Sequence, residues 1–236
     1  MKFQQLAVTG CGYMQGYAHG HGHVDLANRL EIPNSVSLTL SDSSNERLIR
    51  TVHDHSLNNQ PTFYVIGLTF LGRWDLAMRQ NPFKQEGRWI SFQNTRSIAN
   101  INETVLTQQE FELLTKIKIK TEQFSIEDRV WDLALKLRTL VDSLKYRGHG
   151  CVIFNTAEDL ILPWLDDESN TKILSVPEIV QGLKWLAVPY QFDNGVAVSI
   201  YDQGSSTPPQ HKHTNPGEHQ VLNDFLQQYI ENNIFI

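Results

Sequence analysis

Seven of the nine histidines fall in His-x-His patterns: His19, His21 and His23, then His53 and His55, then His211 and His213. Neutral imidazole is the commonest metal ligand near neutral pH, and alternate residues of an extended segment share one face. His19, His21, His23 and His211 could therefore hold zinc or another transition metal if their segments meet. The competing reading is a surface loop softened by Gly20 and Gly22, with titratable side chains and no cofactor, and it is the one adopted here. His53 and His55 sit in a helical pattern, where residues two apart do not face each other, so that pair is incidental. The two cysteines, Cys11 and Cys151, are too few for a disulfide framework. Cys11 could act as a thiol nucleophile, but a small buried residue is the simpler role.

The elements that must position these groups read as alternating strands and helices. Phe3 to Thr9 is a short apolar run that ends in Gly10-Cys11-Gly12, as a buried strand leaving a sheet through a tight turn does. Residues 35–40 alternate and are β-prone. Ser43 with Glu46 three residues later is a capping-box signature, and Leu48, Ile49, Val52 and Leu57 follow at near-helical spacing. Residues 62–69 are apolar almost throughout, which suits a central parallel strand covered on both faces. Residues 70–102 lack periodicity and predict an irregular arm. Thr107 with Glu110 starts a helix. Ser125 with Asp128 starts a longer one, with Ile126, Val130, Leu133, Leu137, Leu140 and Leu144 on one stripe. Gly148-His149-Gly150 ends it, and a strand over 151–154 follows. Short helices are predicted near 158–165 and 176–186, and a last strand over 196–201. Asn215, Pro216 and Glu218 open a final helix whose apolar face is Val221, Leu222, Phe225, Leu226, Tyr229 and Ile230. The pattern predicts one domain over 1–236: a three-layer, doubly wound, mainly parallel α/β sheet of the flavodoxin-like type. Such sheets bind ligands at the carboxyl ends of their strands.

Composition excludes several classes. The chain has 236 residues, 40% hydrophobic and 19% charged, with a net charge of −6. A nucleic-acid binder would show a basic patch, and Lys116, Lys118 and Lys120 are too few for one, reading instead as a solvated surface. No nucleic-acid partner is expected. No run approaches the roughly 18 apolar residues of a membrane span, and ten residues before Cys11, broken by Gln4-Gln5, do not make a signal peptide. A reducing, cytoplasmic setting is expected, or a virion if the source is a phage. The tryptophans and phenylalanines read as core or arm packing.

Several loops at the predicted carboxyl edge resemble the blocks of the SGNH (GDSL-type) hydrolases. Thr9-Gly-Cys-Gly-Tyr-Met-Gln-Gly16 resembles the first block, most of all that of a subgroup common in phage and bacterial genomes, which reads Gly-Cys-Ser-Tyr-Thr-x-Gly. Ser43-Ser-Asn-Glu-Arg-Leu-Ile-Arg-Thr51 resembles its Gly-Ser-Ser-Asn-Asp-Arg-Ile-x-Arg-Thr. Val65 to Asp75 resembles the third strand and the turn after it, and His213-Thr-Asn-Pro-Gly-Glu-His219 the last block. The resemblance implies acyl-ester hydrolysis: a serine ending the first strand attacks the carbonyl, a C-terminal histidine takes its proton, a nearby aspartate orients that histidine, and backbone N–H groups with an asparagine stabilise the oxyanion. Carried over, the catalytic set is His213, Asn45, Thr69, Arg73 and the serine position. That last position is Gly12, which has no side chain to attack with. The acid position is Gln210 or His211, neither a carboxylate, and the glycine before Ser43 is Asp42. Cys11 precedes the serine position and on a strand-like path points to the other face. The segment His21-Gly-His23-Val-Asp25 also matches the start of the His-x-His-x-Asp-His motif of some metallo-hydrolases, but Leu26 replaces its last histidine.

Three departures at the points of attack, oxyanion binding and base orientation imply a relaxed requirement for catalysis. The leading expectation is an SGNH-like protein without efficient turnover that binds a small acyl ester, a glycan or other protein subunits, as a virion or accessory protein if it comes from a phage. The first alternative is an active esterase or deacetylase on a small acyl ester or glycan. The second is a metal-dependent hydrolase using the His-x-His clusters.

Overall fold

The computed structural model describes residues 3–10, 26–30, 32–40, 43–57, 60–69, 71–77, 89–93, 108–121, 123, 125–156, 176–183 and 216–233. In chain order the elements are β1 (Gln5–Thr9), α1 (Leu26–Arg29), β2 (Ser35–Ser37), α2 (Asn45–Ser56), β3 (Thr62–Leu68), β4 (Arg73–Ala77), β5 (Trp89–Gln93), α3 (Gln108–Thr121), α4 (Ile126–Tyr146), β6 (Gly150–Asn155), α5 (Val176–Val180) and α6 (Pro216–Asn233).

Four strands form one sheet in the order β2-β1-β3-β6, and every neighbouring pair is parallel. Parallel neighbours require a crossover, and here helices supply it on both faces. Ala7, Tyr64, Ile66, Leu68 and Ile153 point to one face and pack under Val52 of α2, the stripe of α4, and Ile179 and Val180 of α5. Leu6, Val8, Phe63, Val65, Val152 and Phe154 point to the other, against Leu26 and Ala27 of α1 and Leu226 and Ile230 of α6. The period-2 alternation of buried residues divides cleanly between the two clusters. This is the expected three-layer, doubly wound α/β arrangement. Every residue of β3 is buried, as a strand covered on both faces must be. Strand order reverses between β1 and β3, so the loops leaving Thr9 and Leu68 flank the point where such sheets open a crevice.

The helix ends show why these segments fold as they do. At the start of α4 the Ser125 hydroxyl accepts from the Asp128 N–H (3.0 Å) and donates to the Asp128 carboxylate (2.8 Å). At its end Gly148 takes φ +80°, the Gly148 N–H reaches the Lys145 carbonyl (3.0 Å) and the His149 N–H the Leu144 carbonyl (2.9 Å). That pair of bonds is a Schellman motif, and it turns the chain directly into β6.

The structure corrects several expectations. Ser44, not Ser43, caps α2, and its hydroxyl accepts from the Arg47 N–H (3.2 Å), so no capping box forms with Glu46. Ser43 is instead held in the preceding turn by its N–H to the Leu40 carbonyl (3.4 Å). The second strand stops at Ser37, although the Leu38 and Leu40 N–H groups still reach the Val8 (2.8 Å) and Gly10 (3.1 Å) carbonyls, and beyond it the Ser37 hydroxyl takes the Thr39 N–H (3.3 Å) on the open edge. Leu57 and Ile126, placed on buried stripes by their spacing, are 49% and 63% exposed, since each lies at a helix end beyond the reach of the core. The region 70–102 is not wholly irregular. It contains a two-stranded antiparallel sheet in whose register Trp74 is paired with Phe92 and Leu76 with Ile90. Its strands are five residues each, too short for alternation to stand out. The helix expected over 176–186 is α5, which ends at Val180. The helix near 158–165 and the strand over 196–201 fall outside the described residues.

Lys116 and Lys120 are exposed on α3, as expected of a solvated surface. No helix among the described residues is long and apolar enough to cross a membrane.

Candidate functional site at the carboxyl edge

Helix α2 begins where β3 ends, and one side chain joins them. The Asn45 amide donates through Nδ2 to the Thr69 carbonyl (2.9 Å) and accepts through Oδ1 from the Thr69 N–H (2.8 Å). The backbone groups fix which end of the amide is which, since an N–H can only donate and a carbonyl only accept. Asn45 is 3% exposed and Thr69 fully buried. The second Nδ2 hydrogen has no partner among the described residues, so the locked amide keeps one donor in hand.

Arg73 extends this arrangement from the start of β4. Its Nη1 donates to the Thr69 hydroxyl (2.9 Å) and more weakly to the Ser43 carbonyl (3.4 Å). Arg73 is itself buried. The next turn of the same ribbon is fastened twice. Arg50 of α2 pairs with Asp75, whose side chain is buried, and Arg129 of α4 lies 3.7 Å from the Trp74 ring centroid and donates to the Arg73 carbonyl (3.3 Å). The ribbon β4–β5 is thereby held against α2 and α4 at the carboxyl edge. A cation this deep in a protein strengthens every interaction with developing negative charge nearby, because little water screens it.

Three of the residues singled out from sequence, Asn45, Thr69 and Arg73, thus form one connected hydrogen-bonded unit. Gly12, His213, His211, His19, His21 and His23 lie outside the described residues, as do Cys11, Asp42 and Gln210. Among the described residues no group of three or more His, Cys, Asp or Glu side chains could hold a metal ion. His53 and His55 part ways as expected for neighbours two apart: His53 lies 3.3 Å from the Asp54 carboxylate, and His55 turns inward to share a hydrogen bond with the Tyr64 hydroxyl (2.9 Å).

Sequence reasoning missed a second polar unit at the opposite edge of the sheet. His149 is 6% exposed. Its Nδ1 accepts from the Thr62 N–H (3.1 Å), and its Nε2 faces the Ser56 carbonyl (3.2 Å), so Nε2 carries the hydrogen. Its ring and that of His55 each meet Tyr64 edge-on at 5.7 Å between centroids. Burial first, and then the charge of His149, pushes the His55 value below the ordinary histidine range. Burial raises the Tyr64 phenol to about 12, against smaller lowering effects of the Thr62 side chain and Arg147. The sequence carried one signal for this unit. His149 sits in a helix-terminating Gly-His-Gly whose second glycine opens a strand, a place where the chain turns inward.

No family model matches the chain, and no curated protein matches it. It is similar in structure to a Bacteroides fragilis protein provisionally named an acylhydrolase, with 9% identity and a TM-score of 0.45, over 97% of this chain and 86% of that one.

Proposed function

We propose that the chain is an SGNH-hydrolase-like protein with impaired catalysis, which uses the carboxyl-edge crevice to bind a small acyl ester or an acylated glycan. Its role on this reading is binding or structural, and a virion or accessory component is the setting that the phage-type blocks suggest. What supports the reading is the Asn45–Thr69 lock. A buried amide held by two bonds, with one donor left over, is a preorganised hydrogen-bonding group beside the strand-order reversal. Such a group helps to hold a carbonyl oxygen whether or not bond cleavage follows. Cleavage also needs a nucleophile, and position 12 of the sequence is glycine.

Turnover and binding are separable by experiment. The wild type is expected to hydrolyse an activated acetate ester no faster than His213→Ala. An O-acetylated sugar is expected to shift the amide resonances of Asn45 and Thr69 in an NMR titration. Gly12→Ser is expected to gain ester turnover if the crevice is otherwise intact. Wild-type hydrolysis that His213→Ala abolishes would replace this reading with that of an active esterase or deacetylase. Stoichiometric zinc in purified protein, lost on mutating His21 and His211, would favour a metal-dependent hydrolase.

A further inference from the structure

The polar unit at the amino edge of the sheet holds three elements through one ring. His149 stands between α4 and β6, its Nδ1 takes the N–H of the first residue of β3, and its Nε2–H bonds the last residue of α2. Ser56 is held in turn from both sides, since its hydroxyl donates to the His53 carbonyl (2.6 Å) and accepts from Arg147 Nη1 (3.0 Å). The titratable and charged groups facing the ring among the described residues are His55 from α2, Tyr64 from β3 and Arg147 from the end of α4. On α2 the Asp54 carboxylate is exposed and lies beside His53. Among the described residues no acidic side chain is bonded to the ring to welcome a positive charge.

This geometry accepts only one protonation state. A backbone N–H can only donate, so Nδ1 must present a lone pair to Thr62. Adding a proton to Nδ1 would set two donors against each other and leave the buried Thr62 N–H without an acceptor. A buried donor left that way costs about 1–3 kcal/mol. The added charge would also lie among His55 and Arg147, which repel it.

The geometry points to His149 as a pH-sensitive latch: protonation of its Nδ1 releases the Thr62 N–H and loosens the amino edge, where α2, β3 and β6 meet, while the carboxyl edge stays closed. The carboxyl edge offers an internal control. Its corresponding bond, from the Thr69 N–H to Asn45 Oδ1, uses an amide that does not titrate. The depressed value of His55 acts in the same direction as the latch. Its neutral form is favoured in the fold, so its contribution to stability is present above the ordinary histidine value of about 6.5 and is lost as pH falls through the lower folded value.

Amide hydrogen exchange of the whole chain, corrected for the intrinsic pH dependence of exchange, tests this directly. On going from about pH 7.5 to about pH 5.5, Thr62 is expected to lose up to roughly tenfold in protection, the limit for linkage to one proton, and Thr69 less than about twofold. In His149→Gln the side-chain oxygen accepts from Thr62 and the amide donates to Ser56, so the acid-induced change at Thr62 is expected to vanish. Equal losses at Thr62 and Thr69, no loss at either, or an unchanged acid response in a folded His149→Gln would each overturn the latch. If His149→Gln does not fold, ring nitrogen shifts of the wild type decide. Protonation of His149 Nδ1 should track the loss of Thr62 protection, and protonation with Thr62 still protected would overturn it.

Discussion

Helix α2 is fastened to the sheet at both ends by a side chain that gives one hydrogen bond and takes another, and the two fastenings differ in kind. At the carboxyl edge the side chain is the Asn45 amide on Thr69, with bonds of 2.8 and 2.9 Å. At the amino edge it is the His149 imidazole between Thr62 and Ser56, with bonds of 3.1 and 3.2 Å. Both solve the same problem. Where a parallel strand ends, its last polar groups leave the ladder and must find partners before they can be buried. The amide solves it at every pH and keeps a donor in reserve. The imidazole solves it only while neutral and has none left over. The edge where parallel sheets bind ligands thus carries the rigid fastening, and the conditional one sits at the far side.

The largest effect expected from breaking the comparison is at Asn45. Asn45→Ala strips partners from both the N–H and the carbonyl of buried Thr69, and should cost about 3 kcal/mol in urea unfolding. The loss should not change between pH 8 and pH 5.5, both above the range in which carboxylates titrate and, on this edge, away from any histidine described. A cost below about 1 kcal/mol would mean that water replaces the amide, and that the carboxyl edge is less sealed than its burial indicates.

His149→Ala comes next, at about 2 kcal/mol near pH 8, since it frees the same two kinds of group from somewhat longer bonds. Here the cost should shrink as the solution is acidified, because protonation already weakens the wild-type fastening. A cost that stays constant with pH would erase the distinction between the two edges. The alkaline side offers a check on the same unit. Tyr64 is raised to about 12 by burial, so the stability it confers is complete below the ordinary tyrosine value of about 10 and is lost as pH rises through about 12. Phenolate absorbance followed against pH should show Tyr64 ionising together with unfolding, and because burial also raises Tyr229, Tyr64→Phe should reduce that coupling rather than abolish it.

How much of this was legible in the sequence differs between the edges. Apolar continuity over 62–69 and the caps at Ser125 and Gly148 made the parallel sheet and α4 readable, because those signals act within a few residues of the chain. Asn45, Thr69 and Arg73 were found because they belong to blocks that resemble a known family, and the structure joins them into one unit. Their spacing alone, 24 residues from Asn45 to Thr69, carries no local signature. The amino-edge unit was missed for the same reason without a family pattern to compensate. Thr62 and His149 are 87 residues apart, and the Gly-His-Gly around His149 marks a turn of the chain but not which residue its ring meets. The expected cap at Ser43 failed because Ser44 beside it caps the helix without a glutamate three residues on, while the turn back to Leu40 holds Ser43 outside the helix.

The smallest effect concerns the helix ends that lead into each edge. Ser44 caps α2 at the carboxyl edge, while Gly148 ends α4 at the amino edge with φ +80° and open space around the position of a Cβ. Ser44→Ala removes the acceptor for the Arg47 N–H and should cost about 1 kcal/mol. Gly148→Ala meets no clash, so its cost, also about 1 kcal/mol, comes from the left-handed backbone alone. Gly148→Asn tests that origin, since asparagine tolerates this conformation better than alanine, and should recover part of the loss. The two alanine variants are expected to separate on exchange: Ser44→Ala should lower protection at Thr69, and Gly148→Ala at Thr62, with each leaving the other amide within about twofold. If either variant lowers both amides equally, the edges open together as one cooperative unit, and the contrast between a fixed and a conditional fastening has no consequence for local opening.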